Sequence, residues 1–538
     1  MRTFILTLLG CATVVSPLVA DVRVPSIFGD HMVLQQGVPL PVWGTAAPGE
    51  QIKVSFAGQA AAATADASGH WKTRLSAVTA SSQPREFSVA GKNQLVFSDV
   101  LVGEVWLCSG QSNMAMSQRN MISKEVEEKK EVRFFMTPKF GHIDPQENTA
   151  GKWVVCCTDE WKKNQFSAVG YYFAVELQHV RNEPVGMIES AWGGTAIAPW
   201  IDLAAYEASA SLGKVADQVK AQRAKLPEMT AKYNAEILPA WEEKHRLWLE
   251  QAASSKQGGP PISAPNAEGK PTPEPKRPTP PGESNQTPSS LFNGMVYPHI
   301  PYAIKGALWY QGESNTATEA NAKEYAESMR LLITGWRARW GQGDFPFLFV
   351  QLPAFTVSRA WATLRNSQFK ALTIPNTGMA VALDLNPTDS LHPPRKQEVG
   401  RRLSLLARKL AYGENIVASG PLYRSMKIEG NRVRISFTET GGGLALGGPP
   451  PPDRKPNEDP AIEKSLLGFQ VCGADGSWVP AEAKIDGVSV VVSSASVISP
   501  MHVSYAWKDY PKANLYNKAG LPASPFRTDD APDFVKGK

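Results

Sequence analysis

The sequence predicts an α/β protein in which a mostly parallel sheet carries helices on both faces, with all-β regions at the N- and C-terminal ends. Between residues 100 and 413, short apolar runs alternate with amphipathic helical stretches, a pattern typical of βαβ units. Residues 21–99 and 414–538 instead alternate apolar and polar side chains between turns rich in Gly and Pro. We therefore expect an N-terminal β-sandwich domain, a central α/β domain and a C-terminal β domain.

The composition excludes several classes of protein. With 538 residues, 42% apolar and 20% charged, the chain has the composition of a folded protein of several domains. A net charge of +5 is small for this length, so no nucleic-acid-binding surface is indicated. Residues 1–20 combine one early Arg, a short apolar run and small residues at a cleavage site. They predict a secretory signal peptide rather than a membrane span, and hence a secreted or periplasmic protein.

The central domain is predicted to contain six strands and one long insertion. Its candidate strands cover residues 104–108, 132–136, 185–189, 304–310, 346–351 and 379–384. The insertion covers residues 204–290, first a helical part and then, from 258 to 288, a stretch dominated by Pro, Gly and Ser that predicts a flexible loop. In open α/β sheets ligands bind beyond the carboxyl ends of the strands, so we expect the functional site there.

Ser112 is a candidate nucleophile at the end of one predicted strand. The stretch V-W-L-C-S-G-Q-S-N-M-A-M at residues 105–116 ends its apolar run at Gly110 and continues into a turn that carries the serine. The nucleophile-elbow pattern G-x-S-x-G does not fit, because Met114 stands in place of its second glycine. Taken alone, such a serine is also compatible with an ordinary turn or a helix cap.

Further stretches point to one family. They are F-G-D-H-M-V-L-Q at residues 28–35, W-G-G-T at 192–195, W-Y-Q-G-E-S-N at 309–315 and D-S-L-H-P-P-R-K-Q-E-V-G at 389–400. Together with G-Q-S-N-M around Ser112, they resemble the SGNH hydrolases, in the branch that holds the sialate O-acetylesterases and related carbohydrate acetylesterases. The likeness runs nearly from end to end, and departs at the insertion and at a loop around Pro449.

The resemblance implies a flavodoxin-like SGNH-hydrolase fold and a serine esterase that removes acetyl groups from carbohydrate, first of all from O-acetylated sialic acid. Ser112 would be the nucleophile, and His392 the general base and then the general acid. Asp389, three residues before His392, would orient the imidazole. Asp384, at the end of the preceding predicted strand, is the alternative partner.

The oxyanion hole would combine backbone and side-chain donors. The backbone N–H of the nucleophile and that of Gly193 or Gly194 are the main-chain candidates. The family's G-x-N-D block has Ser314 in the place of its Asn, so Gln311 or Asn315 would supply the amide. The sequence leaves open which of the two does so.

No cofactor or metal is expected, because the His, Cys and carboxylate residues lack the spacing of a ligand set. Outside the predicted signal peptide the cysteines are Cys108, Cys156, Cys157 and Cys472, for which buried thiols are the simplest prediction. Two other functions remain open. The same chemistry could act on xylan or another acetylated polysaccharide, or the chain could be a glycan-binding protein whose hydrolase domain is inactive.

Overall fold

The computed structural model describes residues 21–117, 129–156, 158–256, 273–387, 389–447 and 465–532. The predicted signal peptide, Cys157, the loop around Pro449 and about half of the Pro-rich stretch lie outside the described residues. None of the described helices is both long and apolar enough to cross a bilayer.

The N-terminal region is built from strands only. They are β1 (Val33–Gln35), β2 (Leu40–Thr45), β3 (Gln51–Phe56), β4 (Gln59–Thr64), β5 (His70–Leu75), β6 (Ser81–Ala90) and β7 (Gln94–Gly110). Strand β3 pairs antiparallel with β4 and β6, β6 pairs with the first part of β7, and β2 and β5 form a separate antiparallel pair. Because β7 runs unbroken from this region into the central sheet, the predicted boundary at residue 99 lies inside a strand. The division into domains stays a prediction.

The central sheet confirms the predicted fold class. Its further strands are β8 (Val132–Met136), β9 (Trp153–Val155), β10 (Val185–Ala191), β11 (Gly306–Tyr310), β12 (Phe347–Gln351) and β13 (Thr377–Val381). The order is β13-β12-β11-β7-β10-β8-β9, and every neighbouring pair is parallel except β8 with β9. The parallel strands therefore place their carboxyl ends at one edge, where Gly110 of β7 lies between Tyr310 and Ala191.

Ten α-helices accompany the sheet within the described residues. They are α1 (Ser112–Ala115), α2 (Asp159–Lys163), α3 (Ala168–Arg181), α4 (Leu203–Glu207), α5 (Gly213–Ala224), α6 (Leu226–Lys232), α7 (Leu238–Lys256), α8 (Glu319–Trp340), α9 (Trp361–Lys370) and α10 (Lys396–Tyr412). Helix α3 packs against α10, and α8 packs against α9. Helices α4 to α7 occupy the first part of the predicted insertion.

The C-terminal region consists of short strands in antiparallel sheets. They are β14 (Leu422–Glu429), β15 (Arg432–Thr438), β16 (Leu444–Leu446), β17 (Phe469–Cys472), β18 (Trp478–Pro480), β19 (Glu482–Asp486), β20 (Ser489–Ser493), β21 (His502–Tyr505), β22 (Leu515–Asn517) and β23 (Phe526–Arg527). The segment between β21 and β22 touches the central domain, since the Tyr510 hydroxyl donates to the backbone oxygen of Asn386 at 2.9 Å. The C-terminal region therefore supports the loop that carries His392.

Candidate active site

The turn that carries Ser112 begins where β7 ends. From Val100 to Gly110 the strand is completely buried, as expected for the centre of a parallel sheet. Gly110 has a φ of 138°, and a Cβ there would lie 2.1 Å from the backbone oxygen of Tyr310. Only glycine fits this close approach, which lets the chain leave the sheet and enter α1 with Ser112 as its first residue. The serine therefore stands at the carboxyl edge of the sheet.

The structure brings Ser112 and His392 together, although 280 positions separate them in the chain. The Nε2 atom of His392 lies 2.9 Å from Oγ of Ser112, a hydrogen-bond distance suited to proton transfer. The pKa of His392 lies below its ordinary value, first because burial disfavours the charged imidazole and second because Lys396 is nearby. The imidazole is therefore held in the neutral form that a general base requires.

His392 lies on a loop between β13 and α10 whose backbone is fixed by side chains. Asn386 donates from Nδ2 to the backbone oxygens of Ala354 (2.5 Å) and Ser390 (2.7 Å) and accepts from the N–H of Ser390. The N–H of His392 donates to Oγ of Ser390 at 3.1 Å. These bonds hold the loop over the end of the sheet without contacting the imidazole itself.

Neither of the two candidate carboxylates contacts the imidazole in the described structure. Asp389 is exposed, has a φ of 48°, and accepts a hydrogen bond from the backbone N–H of Thr356 at 2.6 Å. Asp384 accepts from both terminal nitrogens of Arg402, at 2.7 and 2.8 Å, and its pKa is lowered by this partner despite the cost of burial. In the described structure, Asp389 does not accept the expected hydrogen bond from His392. Its role as the orienting acid stays a prediction.

The glycines after β10 lie beside Ser112. A Cβ on Gly193 would lie 3.3 Å from Cβ of Ser112, so the two backbones approach closely. Within the described part of the chain, the backbone N–H groups of Ser112, Gly193 and Gly194 have no hydrogen-bond acceptor. Unpartnered donors beside a nucleophile are what an oxyanion hole requires.

The two candidate amides differ in their free donors. Nε2 of Gln311, which is fully buried, donates to Oε1 of Gln111, to the backbone oxygen of Thr195 and to Oδ1 of Asn315. Oδ1 of Asn315 also accepts from the N–H of Ile197 at 3.0 Å, which turns its Nδ2 away from these contacts. Among the described residues Nδ2 of Asn315 has no acceptor. The geometry therefore favours Asn315 as the side-chain donor, with Gln311 fixing its orientation.

Three buried polar residues next to the site were not singled out from the sequence. Asn113 follows Ser112, Glu313 lies in the Q-G-E-S-N stretch, and Lys396 lies four residues after His392 at the start of α10. The structure joins their side chains by hydrogen bonds. All three lie inside the motifs that carried the resemblance. Their position there was the available signal, but their mutual contacts depend on the folded sheet.

No cluster of three or more potential metal ligands occurs among the described residues. Cys108, Cys156 and Cys472 are buried and form no disulfide within the described ranges.

The chain is similar to known carbohydrate esterases in both sequence and structure. The sequence profile of the carbohydrate esterase family "sialic acid-specific acetylesterase" matches residues 102–226 and 290–408. The rat sialate O-acetylesterase is 28% identical over 80% of this chain and 78% of its own length, and the human one is 27% identical over 80% and 75%. A carbohydrate acetylesterase from Xanthomonas citri, known from a crystal structure, is 34% identical, with a TM-score of 0.75 over 94% of this chain and 99% of its own.

Proposed function

This chain belongs to the carbohydrate esterase family of sialic acid-specific acetylesterases, and we propose that it hydrolyses O-acetyl esters of sialic acid through an acetyl-enzyme on Ser112. Membership makes it a carboxylic ester hydrolase that acts on acetylated carbohydrate. The proposal adds the nucleophile, the covalent intermediate and the sugar. The observation that carries it is the 2.9 Å contact between Ser112 Oγ and His392 Nε2 at the carboxyl edge of the sheet.

In the proposed first half-reaction, Nε2 of His392 takes the hydroxyl proton while Oγ of Ser112 bonds to the acetyl carbonyl carbon. The ester C–O bond of the resulting tetrahedral species then breaks. The sugar oxygen receives the proton from His392 and leaves as a hydroxyl, and the acetyl group stays on Ser112. In the second half-reaction the same imidazole removes a proton from water while the water oxygen bonds to the acetyl carbon. The bond from that carbon to Oγ of Ser112 then breaks, His392 returns the proton to Oγ, and acetate is released.

The charge that develops on the carbonyl oxygen needs donors fixed in advance. We assign this role to the backbone N–H groups of Ser112 and Gly194, with Nδ2 of Asn315 as the side-chain donor. The close approach of Gly193 to Ser112 and the free state of these donors support the assignment. Gln311 then acts on the donor set through Asn315. For Asp389 to orient the imidazole, its carboxylate has to accept a hydrogen bond from Nδ1 of His392, either on Oδ2 or in place of the bond that Oδ1 accepts from the Thr356 N–H.

The choice of sialic acid rests on the names of the curated mammalian relatives, all of which are sialate O-acetylesterases. The Xanthomonas citri relative is described only as a carbohydrate acetylesterase, so another acetylated glycan such as xylan is the alternative. The signal peptide expected in residues 1–20 supports action outside the cytoplasm, on glycan in the periplasm or beyond the cell.

The experiment that tests this function is release of acetate from O-acetylated sialic acid and from acetylated xylan, by the protein and by its Ser112→Ala variant. Loss of the nucleophile is expected to lower kcat by about 10⁴-fold or more, while the melting temperature stays close to that of the parent. Release from sialic acid that disappears in the variant supports the whole proposal. Release from xylan alone keeps the mechanism and replaces the substrate. Unchanged release by Ser112→Ala contradicts the mechanism.

A further inference from the structure

We propose that Asn113, Glu313 and Lys396 form a positioning cluster, the Asn113 bridge, which holds the His392 loop at hydrogen-bonding distance from Ser112 and places a positive charge beside the imidazole. The inference rests on the proposed function, because it assigns a task to residues that serve the same serine and histidine. None of the three touches the reacting atoms in the structure, so they are positioning residues rather than catalytic ones.

The contacts of Asn113 join three separate parts of the chain. Its own backbone belongs to the nucleophile turn, next to Ser112. Its Nδ2 donates to the backbone oxygen of Leu391, the residue before His392, at 3.1 Å, and also to Oε1 of Glu313. Its Oδ1 accepts a hydrogen bond from Nζ of Lys396. The Asn113 side chain is therefore hydrogen bonded to residues on both sides of His392, Leu391 before it and Lys396 after it.

The hydrogen bonds of Asn113 help to fix the position of the His392 imidazole, a task that a side-chain acid does not perform in the described structure. No carboxylate among the described residues is hydrogen bonded to His392, so a side-chain acid does not set the position of the ring in this structure. The position depends instead on the backbone of the loop, which Asn113 ties to the same turn that carries Ser112. A displacement of about 1 Å between nucleophile and base is enough to cost on the order of 10²-fold in rate.

The cluster is poorly suited to a purely stabilising role. Asn113, Glu313 and Lys396 are all at least 96% buried, with exposures of 0%, 4% and 1%. Oε2 of Glu313 has no hydrogen-bond partner, and Lys396 forms no ion pair with any carboxylate in the described ranges. An ammonium and a carboxyl group buried without each other's direct contact cost stability. Their presence is explained if they serve the adjacent reaction.

The charge of Lys396 acts on the imidazole. The groups that face this part of the site are Glu313 and the Tyr310 ring from the segment at the end of β11, with the Lys396 ammonium 5.2 Å from the ring centroid. Burial lowers the pKa of Lys396 to about 7, opposed by the charge of Glu313. Below that pH the ammonium is charged, and its repulsion contributes to the depressed pKa of His392. The cluster therefore extends the pH range over which the base is neutral.

The test uses Lys396→Met, with Lys396→Arg as the conservative variant and Lys323→Met, an exposed lysine on helix α8, as the matched control. Two reactions are followed: hydrolysis of an aryl acetate, and covalent inactivation of Ser112 by a fluorophosphonate, which needs no sugar. Lys396→Met is expected to lower kcat and the inactivation rate by about 10- to 100-fold with little change in KM. The acid limb of its kcat/KM profile is expected to move to higher pH by roughly half a unit to one unit, because a neighbouring cation has gone.

Lys396→Arg should keep the acid limb of the parent protein, since it keeps the charge. Equal inactivation rates and an unshifted acid limb in Lys396→Met, matching Lys323→Met, would overturn the inference. If Lys396→Met does not fold, Asn113→Ala supplies the test. It keeps Lys396 and Glu313 but removes the link to Leu391, and it must lower the inactivation rate for the inference to stand. Failure of the parent protein itself to react at Ser112 would instead refute the proposed function.

Discussion

Helix α10 carries two buried cations whose surroundings differ completely. Arg402, 5% exposed, donates to both oxygens of Asp384, to Glu398 at 2.8 Å and to the backbone oxygen of Val381 at 2.5 Å. Lys396, 1% exposed, donates to the neutral side chain of Asn113 and lies over the face of Tyr310, and it forms no ion pair within the described ranges. The pKa of Arg402 is accordingly raised by its carboxylates despite burial, whereas that of Lys396 falls to about 7 because burial dominates.

The difference separates a structural contact from a functional one. Arg402, each of whose three guanidinium nitrogens donates to a carboxylate or carbonyl, fastens α10 to the end of β13, and its removal leaves a buried charge without its partner. A buried cation without such partners lowers stability, yet Lys396 lies only four residues after the histidine that contacts Ser112. We infer that Arg402 serves the fold and Lys396 serves the site. This distinction between Arg402 and Lys396 fails if either residue is shown to behave like the other.

The largest expected effect comes from Arg402→Met. The substitution leaves the buried carboxylate of Asp384 without its guanidinium partner and leaves Glu398 paired with Arg401 but not with Arg402. Removing one member of such a set typically costs about 3–5 kcal/mol. Urea unfolding monitored by tryptophan fluorescence measures the change. Arg424→Met, at an exposed position on β14, is the matched control and should stay within about 0.5 kcal/mol of the parent. A loss from Arg402→Met no larger than the control would show that the matched ion pairs do not stabilise the fold.

At Lys396 we expect a smaller effect, which appears in how the free energy of unfolding depends on pH. Its folded pKa of about 7 lies below the ordinary value of 10.5, so between these values the unfolded chain binds more protons than the folded one. Stability should therefore rise with pH in that window, by about 1.4 kcal/mol per pH unit well above pH 7. The free energy of unfolding, measured at pH 7 and pH 9, should increase by about 2 kcal/mol more for the parent than for Lys396→Met. Equal pH dependence in the two proteins would mean that burial does not lower the pKa of Lys396.

The fold and the proximity of Ser112 to His392 could be predicted from sequence because both depend on local patterns. The buried strand that ends at Gly110 placed Ser112 on a turn, and the polar loop before an amphipathic helix placed His392 at the same edge. Parallel strands bring such ends together whatever the details of packing. The family motifs supplied the pairing of these two residues, and the structure places them in contact.

Other features could not be predicted because they depend on contacts between distant segments. The bond from Thr356 to Asp389 depends on how two loops meet, and the D-x-x-H spacing contains no information about it. The choice between Gln311 and Asn315 depends on which acceptors surround each amide once β7, β10 and β11 are aligned. Likewise, the Asn113 bridge joins residues that are neighbours only across the sheet edge.

The central claim is that Ser112 carries the acetyl group during turnover. Rapid mixing of the protein with an O-acetylated sugar, acid quenching within the first turnovers and peptide mapping by mass spectrometry measure it directly. We expect an acetylated peptide that contains Ser112. This peptide accumulates when deacylation is slower than acylation, and it is absent in Ser112→Ala. When an aryl acetate replaces the O-acetylated sugar, the same peptide can be measured under conditions in which acylation is fast. Acetyl groups on another residue, or turnover by Ser112→Ala at the parent rate, would contradict the account.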